Sequence, residues 1–149
     1  MKTILIAAAS ALVLSSGAAL LPATASAATI VIVVLQDPST GNGVTTMQIV
    51  PTPDAVQAGK ATFRISNQSK SLVHEMLLLQ APATGKLPYD EKTQRVIESQ
   101  TVKLVDSGEI KPGASLTAST TLKPGKYLMI CNQPTHYVSG MKAPFTVTP

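Results

Sequence analysis

The sequence predicts an all-β chain, an antiparallel Greek-key β-sandwich of seven or eight short strands with at most one short helix. Three observations predict it. Short runs alternate apolar and polar residues, 9 Gly and 11 Pro punctuate them at close intervals, and only one segment of the chain reads as helical.

Thr29 to Leu35 is a β-branched run closed by the turn-forming Asp37-Pro38-Ser39-Thr40-Gly41-Asn42-Gly43, and it reads as the first strand. Met47 to Val50 forms a short strand ahead of Pro51 and Pro53. Ala61 to Ser66 alternates as a half-buried strand should, and Asn67-Gln68-Ser69-Lys70 is the turn after it. Ser71 to Gln80 is apolar enough to be a strand crossing the core. Its period of two sets His74 and Met76 on one face and Val73 and Glu75 on the other, so Glu75 points away from His74. From Ala81 to Glu109 the pattern loosens: Pro82, Gly85 and Pro88 break the backbone, and Asp90 to Ser99 reads as a short helix with Val96 and Ile97 turned inward. This region is expected to be an excursion from the sheet. Alternation resumes over Ser115 to Leu122, Lys123-Pro124-Gly125 supplies a tight turn, and Lys126 to Cys131 and Ala143 to Thr148 complete the sandwich.

Residues 1–27 are expected to be a cleaved secretory leader. Lys2 gives a positive start, Ile4 to Leu21 is almost wholly apolar or small, and Ala25-Ser26-Ala27 suits cleavage by a signal peptidase. The alternative is a retained anchor, but Ser10, Ser15, Ser16, Gly17 and Pro22 dilute the apolar run. Residues 28–149 are then one domain, too short for two cores, placed in the periplasm or outside the cell with no stable membrane insertion. Without Lys2 the formal charge falls from +4 to +3, spread along the chain rather than gathered into a basic arm. With no Trp, 2 Phe and 3 Tyr, surfaces for stacking bases are scarce, and no nucleic-acid partner is expected.

Cys131 is the one cysteine, so no disulfide forms within the chain. Its thiol is inert and buried, paired with another chain, catalytic, or bound to metal. Its neighbours favour metal, because Cys131, His136 and Met141 stand at C-x4-H-x4-M spacing. With 2 His and 5 Met in 149 residues, chance places His and Met at those two positions after a given Cys roughly once in two thousand. Taken alone, His74 reads as a core histidine, and Met141 and Met76 as core filler. Joined by Cys131 and His136, the set His74, Cys131, His136 and Met141 has the chemistry of a mononuclear copper site, with a thiolate and two imidazoles in a trigonal plane and a weak axial thioether. Met76 stays in the core.

On these residues the chain resembles the cupredoxins, small type 1 blue-copper proteins, over nearly all of the expected mature domain. The loop spacing is most similar to the rusticyanin and sulfocyanin type; azurins have one residue fewer before Met and plastocyanins two fewer before His. Asn67 ahead of the His segment, His74-Glu75-Met76, Leu122-Lys123-Pro124-Gly125-Lys126-Tyr127 before Cys131, and Gly140-Met141 closing the loop are shared marks. There are departures as well. Thr135 stands where many relatives have Gly before the loop His, and Glu75 where azurins and plastocyanins often have an Asn that ties the two ligand segments together; Asn132 or Asn67 is a candidate for that tie.

The resemblance implies a monomeric one-electron carrier with one copper ion, and neither an enzyme nor a chain with catalytic residues. Redox proteins, a cytochrome or a copper oxidase or reductase, would dock near His136 on an apolar collar of Pro134, Tyr137, Val138 and Pro144. Lys142 reads as a solvated charge. A Cys-His hydrolase lacks an evident oxyanion device or orienting third residue. Zinc is poorly served by Met. The stronger rival use is copper delivery, sequestration or resistance without a redox chain, although no Met-rich or His-rich tail of the kind common in such proteins is present.

Overall fold

A computed structural model describes residues 27–41 and 43–149. Apart from Ala27, the expected leader lies outside the described residues. Eleven strands run in chain order: β1 (Thr29–Gln36), β2 (Gln48–Thr52), β3 (Ala55–Gln57), β4 (Gly59–Asn67), β5 (Leu77–Gln80), β6 (Tyr89–Asp90), β7 (Arg95–Val96), β8 (Lys103–Asp106), β9 (Ser115–Leu122), β10 (Gly125–Ile130) and β11 (Lys142–Thr148). Nine of them build the sandwich. One sheet has the order β2-β1-β4-β9 and the other β3-β11-β10-β5-β8, with β6 and β7 a separate hairpin. Single 3-10 turns at Pro38–Thr40 and Glu98–Gln100 are the helical elements among the described residues.

The all-β sandwich expected from the sequence is present, with two refinements. Strand count exceeds the expected seven or eight because β3 and β8 are short edge strands with little pattern to read. Pairing is mixed: β1 runs parallel to β4, and β3 parallel to β11, while the other pairs are antiparallel. The parallel β1–β4 pair matters for the site, because it brings the ends of both strands, Gln36 and Asn67, to the same edge of the sandwich.

Alternation along β1 and β4 buries Val31, Val33, Leu35, Ala61, Phe63 and Ile65 and leaves Ile30 and Ile32 outside. Across the interior stand Leu78, Met129, Ala143, Phe145 and Val147, and Met76 is core as expected. Phe63 and Phe145 meet edge to face at 5.9 Å between ring centroids, one from each sheet.

Two expectations need correction. Ser71 to Gln80 is not one strand. Ladder pairing begins at Leu77, and His74 makes only an isolated bridge with Ile110. Side chains claim the backbone ahead of it: Ser69 Oγ accepts the N–H groups of Ser71 and Leu72, and the Asn67 amide donates to the Leu72 carbonyl. His74, Glu75 and Met76 are consequently all buried instead of alternating.

The helix expected at Asp90 to Ser99 is instead the β6–β7 hairpin. Asp90 captures the Lys92 N–H and the Thr93 hydroxyl, folding a turn in place of a helix, and Gln94 takes a positive φ of 55°. Nor is the whole region an excursion, since β8 pairs with β5 and extends the sheet. Leu87 and Val96 cover Leu77, Leu79 and Ile130 on that sheet's outer face, making a second apolar cluster that also takes in Tyr89, Leu128 and Tyr137. This cover explains why β5 reads as a continuous apolar run: both of its faces are buried.

Candidate metal centre

The site forms where β10 ends. Cys131 follows Ile130 directly, and its N–H donates to the Met141 carbonyl at 3.1 Å, closing the loop at its base. Within the loop His136 N–H bonds the Gln133 carbonyl and Met141 N–H bonds the His136 carbonyl, so the three candidate ligands share one short hydrogen-bonded unit. Gly140, at φ 97°, turns the chain back into β11.

His74 reaches this loop from the other side of the sequence. Cys131 Sγ lies 3.3 Å from His136 Nδ1 and 3.9 Å from His74 Nδ1, the two Nδ1 atoms are 3.1 Å apart, and the three candidate ligand atoms fall within 4.8 Å of one another. All three side chains are buried, His74 at 0% exposure and His136 at 8%. Met141 is fully buried in the same loop.

Burial sets the protonation of the cluster. The Cys131 thiol is pushed up to about 11, chiefly by desolvation, with N–H groups of Gln133 and Glu75 pulling the other way. Both imidazoles are depressed, again first by desolvation; at His74 the Asp37 carboxylate opposes this, and at His136 the neighbouring His74 adds to it. Neutral imidazoles with free ring nitrogens are the form in which histidine binds metals.

Asparagines hold the frame. Asn67 Nδ2 donates to the carbonyls of Leu72 and Ile110, and its Oδ1 accepts from Ser69 N–H, fixing the approach to His74. Asn132 instead grips the β6–β7 hairpin: Oδ1 accepts from Val96 N–H at 2.7 Å, while Nδ2 donates to the Val96 carbonyl and to Glu98. A direct link between the two ligand segments comes from the Glu75 backbone N–H, which donates to Cys131 Sγ at 3.4 Å. Glu75 does not point to solvent. The residue is 7% exposed and its pKa is raised, first of all by burial.

Thr135 sits at φ 71°, in the left-handed region where a β-branched residue is strained, and its N–H donates to the carbonyl of Gln94, itself at positive φ. The loop therefore keeps a glycine-like turn without glycine. Thr135→Gly should raise the stability of the metal-free chain by about 1 kcal/mol, relief of strain outweighing the added freedom of the unfolded chain; urea denaturation checks this, and a loss of stability would contradict it.

Sequence reasoning missed one member of the site. Asp37, read as a turn residue, is 1% exposed and places Oδ2 2.9 Å from His74 Nε2. Its position follows from the parallel β1–β4 pairing, which sequence alternation does not reveal.

The comparisons agree on the fold. No protein-family profile matches the chain and no curated protein sequence matches it. Solved structures do. Reduced auracyanin from Roseiflexus castenholzii superposes with a TM-score of 0.57 at 19% identity, covering 83% of this chain and 98% of that one. Auracyanin A from Chloroflexus aurantiacus, described as a "blue" copper protein, gives 0.56 at 17% identity over 82% and 100% of the two chains. Rusticyanin from Thiobacillus ferrooxidans gives 0.59 at 18% identity over 83% and 79%. The chain has the cupredoxin fold, shared with the auracyanins and rusticyanin.

Proposed function

We propose that this protein is a type 1 copper protein that carries single electrons between redox partners in the periplasm or outside the cell. One observation carries the reading: His74, Cys131 and His136, two segments 57 residues apart in sequence, converge with their ligand atoms within 4.8 Å. The donor chemistry fits copper. Two imidazole nitrogens and a thiolate, with the buried Met141 thioether as the fourth ligand, are too soft for magnesium or calcium, and Met is a poor ligand for zinc. Bound there, copper supplies a one-electron couple between its +1 and +2 states.

The chain's own residues would make that couple fast. A ligand loop closed by the Cys131–Met141 and Met141–His136 hydrogen bonds, and clamped by Asn132 to the hairpin, resists rearrangement when the charge at the site changes. His136 is the less buried imidazole and is the natural exit for the electron. Around it Pro134 is exposed, Val138 is 57% exposed, and Tyr137 is half-buried beneath Lys142, whose Nζ stands 4.7 Å over the ring. Lys142 is thus packed on the collar as well as solvated. A cytochrome or a copper oxidase or reductase would dock on this surface.

Two experiments test the reading. Repeated cycles of reduction and reoxidation in the presence of a chelator should leave copper in place; copper lost to the chelator within a few cycles would favour copper delivery over electron transfer. Val138→Glu should slow electron exchange with a cytochrome about 5- to 10-fold without changing the spectrum, measured by stopped flow. An unchanged rate would remove the collar from the account.

A further inference from the structure

We propose that Asp37 is a positioning residue for the metal centre: it fixes His74 with Nδ1 turned toward Cys131 and His136, and it sets a buried negative charge one imidazole away that favours the oxidised metal. This rests on the copper reading above and deepens it.

The two carboxylate oxygens have separate tasks. Oδ1 accepts the Ser39 N–H at 2.7 Å, capping the 3-10 turn Pro38–Thr40, while the Thr40 hydroxyl accepts the Asp37 N–H in return. Oδ2 is thereby aimed at His74 Nε2, 2.9 Å away. The turn is itself fastened to the His74 approach, because Ser39 Oγ lies 3.0 Å from Ser69 Oγ and accepts the Lys70 N–H. Cap, turn and approach form one hydrogen-bonded unit with the carboxylate at its centre.

Chemistry follows from that geometry. An ionised carboxylate only accepts, so Nε2 must be the protonated nitrogen and Nδ1 keeps its lone pair, facing Cys131 Sγ and His136 Nδ1. The geometry suits a carboxylate: the Ser39 N–H points at Oδ1 and His74 Nε2 faces Oδ2, so both oxygens act as acceptors and neither needs a proton to fill its contact. A fixed negative charge in a buried site stabilises the more positive state of a neighbouring metal, and little solvent is present to screen it.

The test is Asp37→Asn, whose amide oxygen still accepts from His74 and whose charge is gone. The copper-loaded variant should keep the absorption band of the parent, and its reduction potential should rise, with Cu(I) favoured over Cu(II) by about tenfold, or ~59 mV for one electron. Nitrogen NMR of the metal-free parent should show His74 protonated at Nε2. An unshifted potential with an intact band overturns the proposal, as does an Nδ1-protonated His74. Should Asp37→Asn fail to fold, Asp37→Ser, which retains a capping oxygen for Ser39, is read the same way: a raised potential supports the proposal and an unshifted one overturns it. A parent chain that takes up copper without a thiolate band would instead refute the copper reading itself, and that failure differs visibly from a blue parent whose variants share its potential.

Discussion

Cys131→Ser should leave the chain folded and remove its copper site. Serine matches cysteine closely in size, and the N–H groups of Glu75 and Gln133 that face Sγ can donate to a hydroxyl instead. The thiolate that defines the donor set is gone. Loss of a single outer hydrogen-bond partner typically weakens metal binding ~10- to 100-fold, so loss of this ligand should exceed ~100-fold. Competition with a chelator measures the affinity, and thermal melting of the metal-free variant shows that the fold survives. Copper held as tightly as by the parent would mean that His74 and His136 bind metal without Cys131.

Phe145→Ala should be among the most damaging changes in the fold. Phe145 is 1% exposed, lies in β11 against Phe63 of the opposite sheet, and belongs to the strand that carries the chain away from Met141. Truncating a buried phenylalanine costs about 3–5 kcal/mol through lost burial and the cavity left behind, and loss of the edge-to-face pair falls within that range. Urea denaturation of the metal-free chain measures it. Ile32→Ser, on the outward row of β1, is the control and should cost less than about 1 kcal/mol. Similar losses from the two changes would show that the sandwich interior is misassigned.

The ligand loop was legible in the sequence because its chemistry is local. Cys131, His136 and Met141 lie within one short segment, and most of the backbone hydrogen bonds that shape it run between loop residues, while Thr135 N–H and the Asn132 side chain reach out to the hairpin. The alternation of β1, β4 and β11 was legible for the same reason, a period of two written directly into the chain.

Long-range pairing was not legible. The carboxylate at His74 depends on β1 lying parallel to β4, and nothing in either strand's own pattern specifies a parallel neighbour. The run from Ser71 to Gln80 looked like one strand because periodicity reports burial, and this run is buried along most of its length. Ser69 and Asn67 had already taken the backbone groups that a ladder would need. Likewise Val96 turns inward as a helix would have placed it, but its N–H and carbonyl are spent on Asn132, a partner 36 residues away. Thr135 was marked as a departure from glycine, and the structure gives its meaning: the positive φ is kept and the strain accepted.

The visible spectrum of the purified domain after addition of Cu(II) tests the central claim most directly. The convergence of Cys131, His74 and His136 predicts an intense blue or green thiolate-to-copper band that vanishes on reduction and returns on oxidation. A colourless product, or a band that persists in Cys131→Ser, would contradict it.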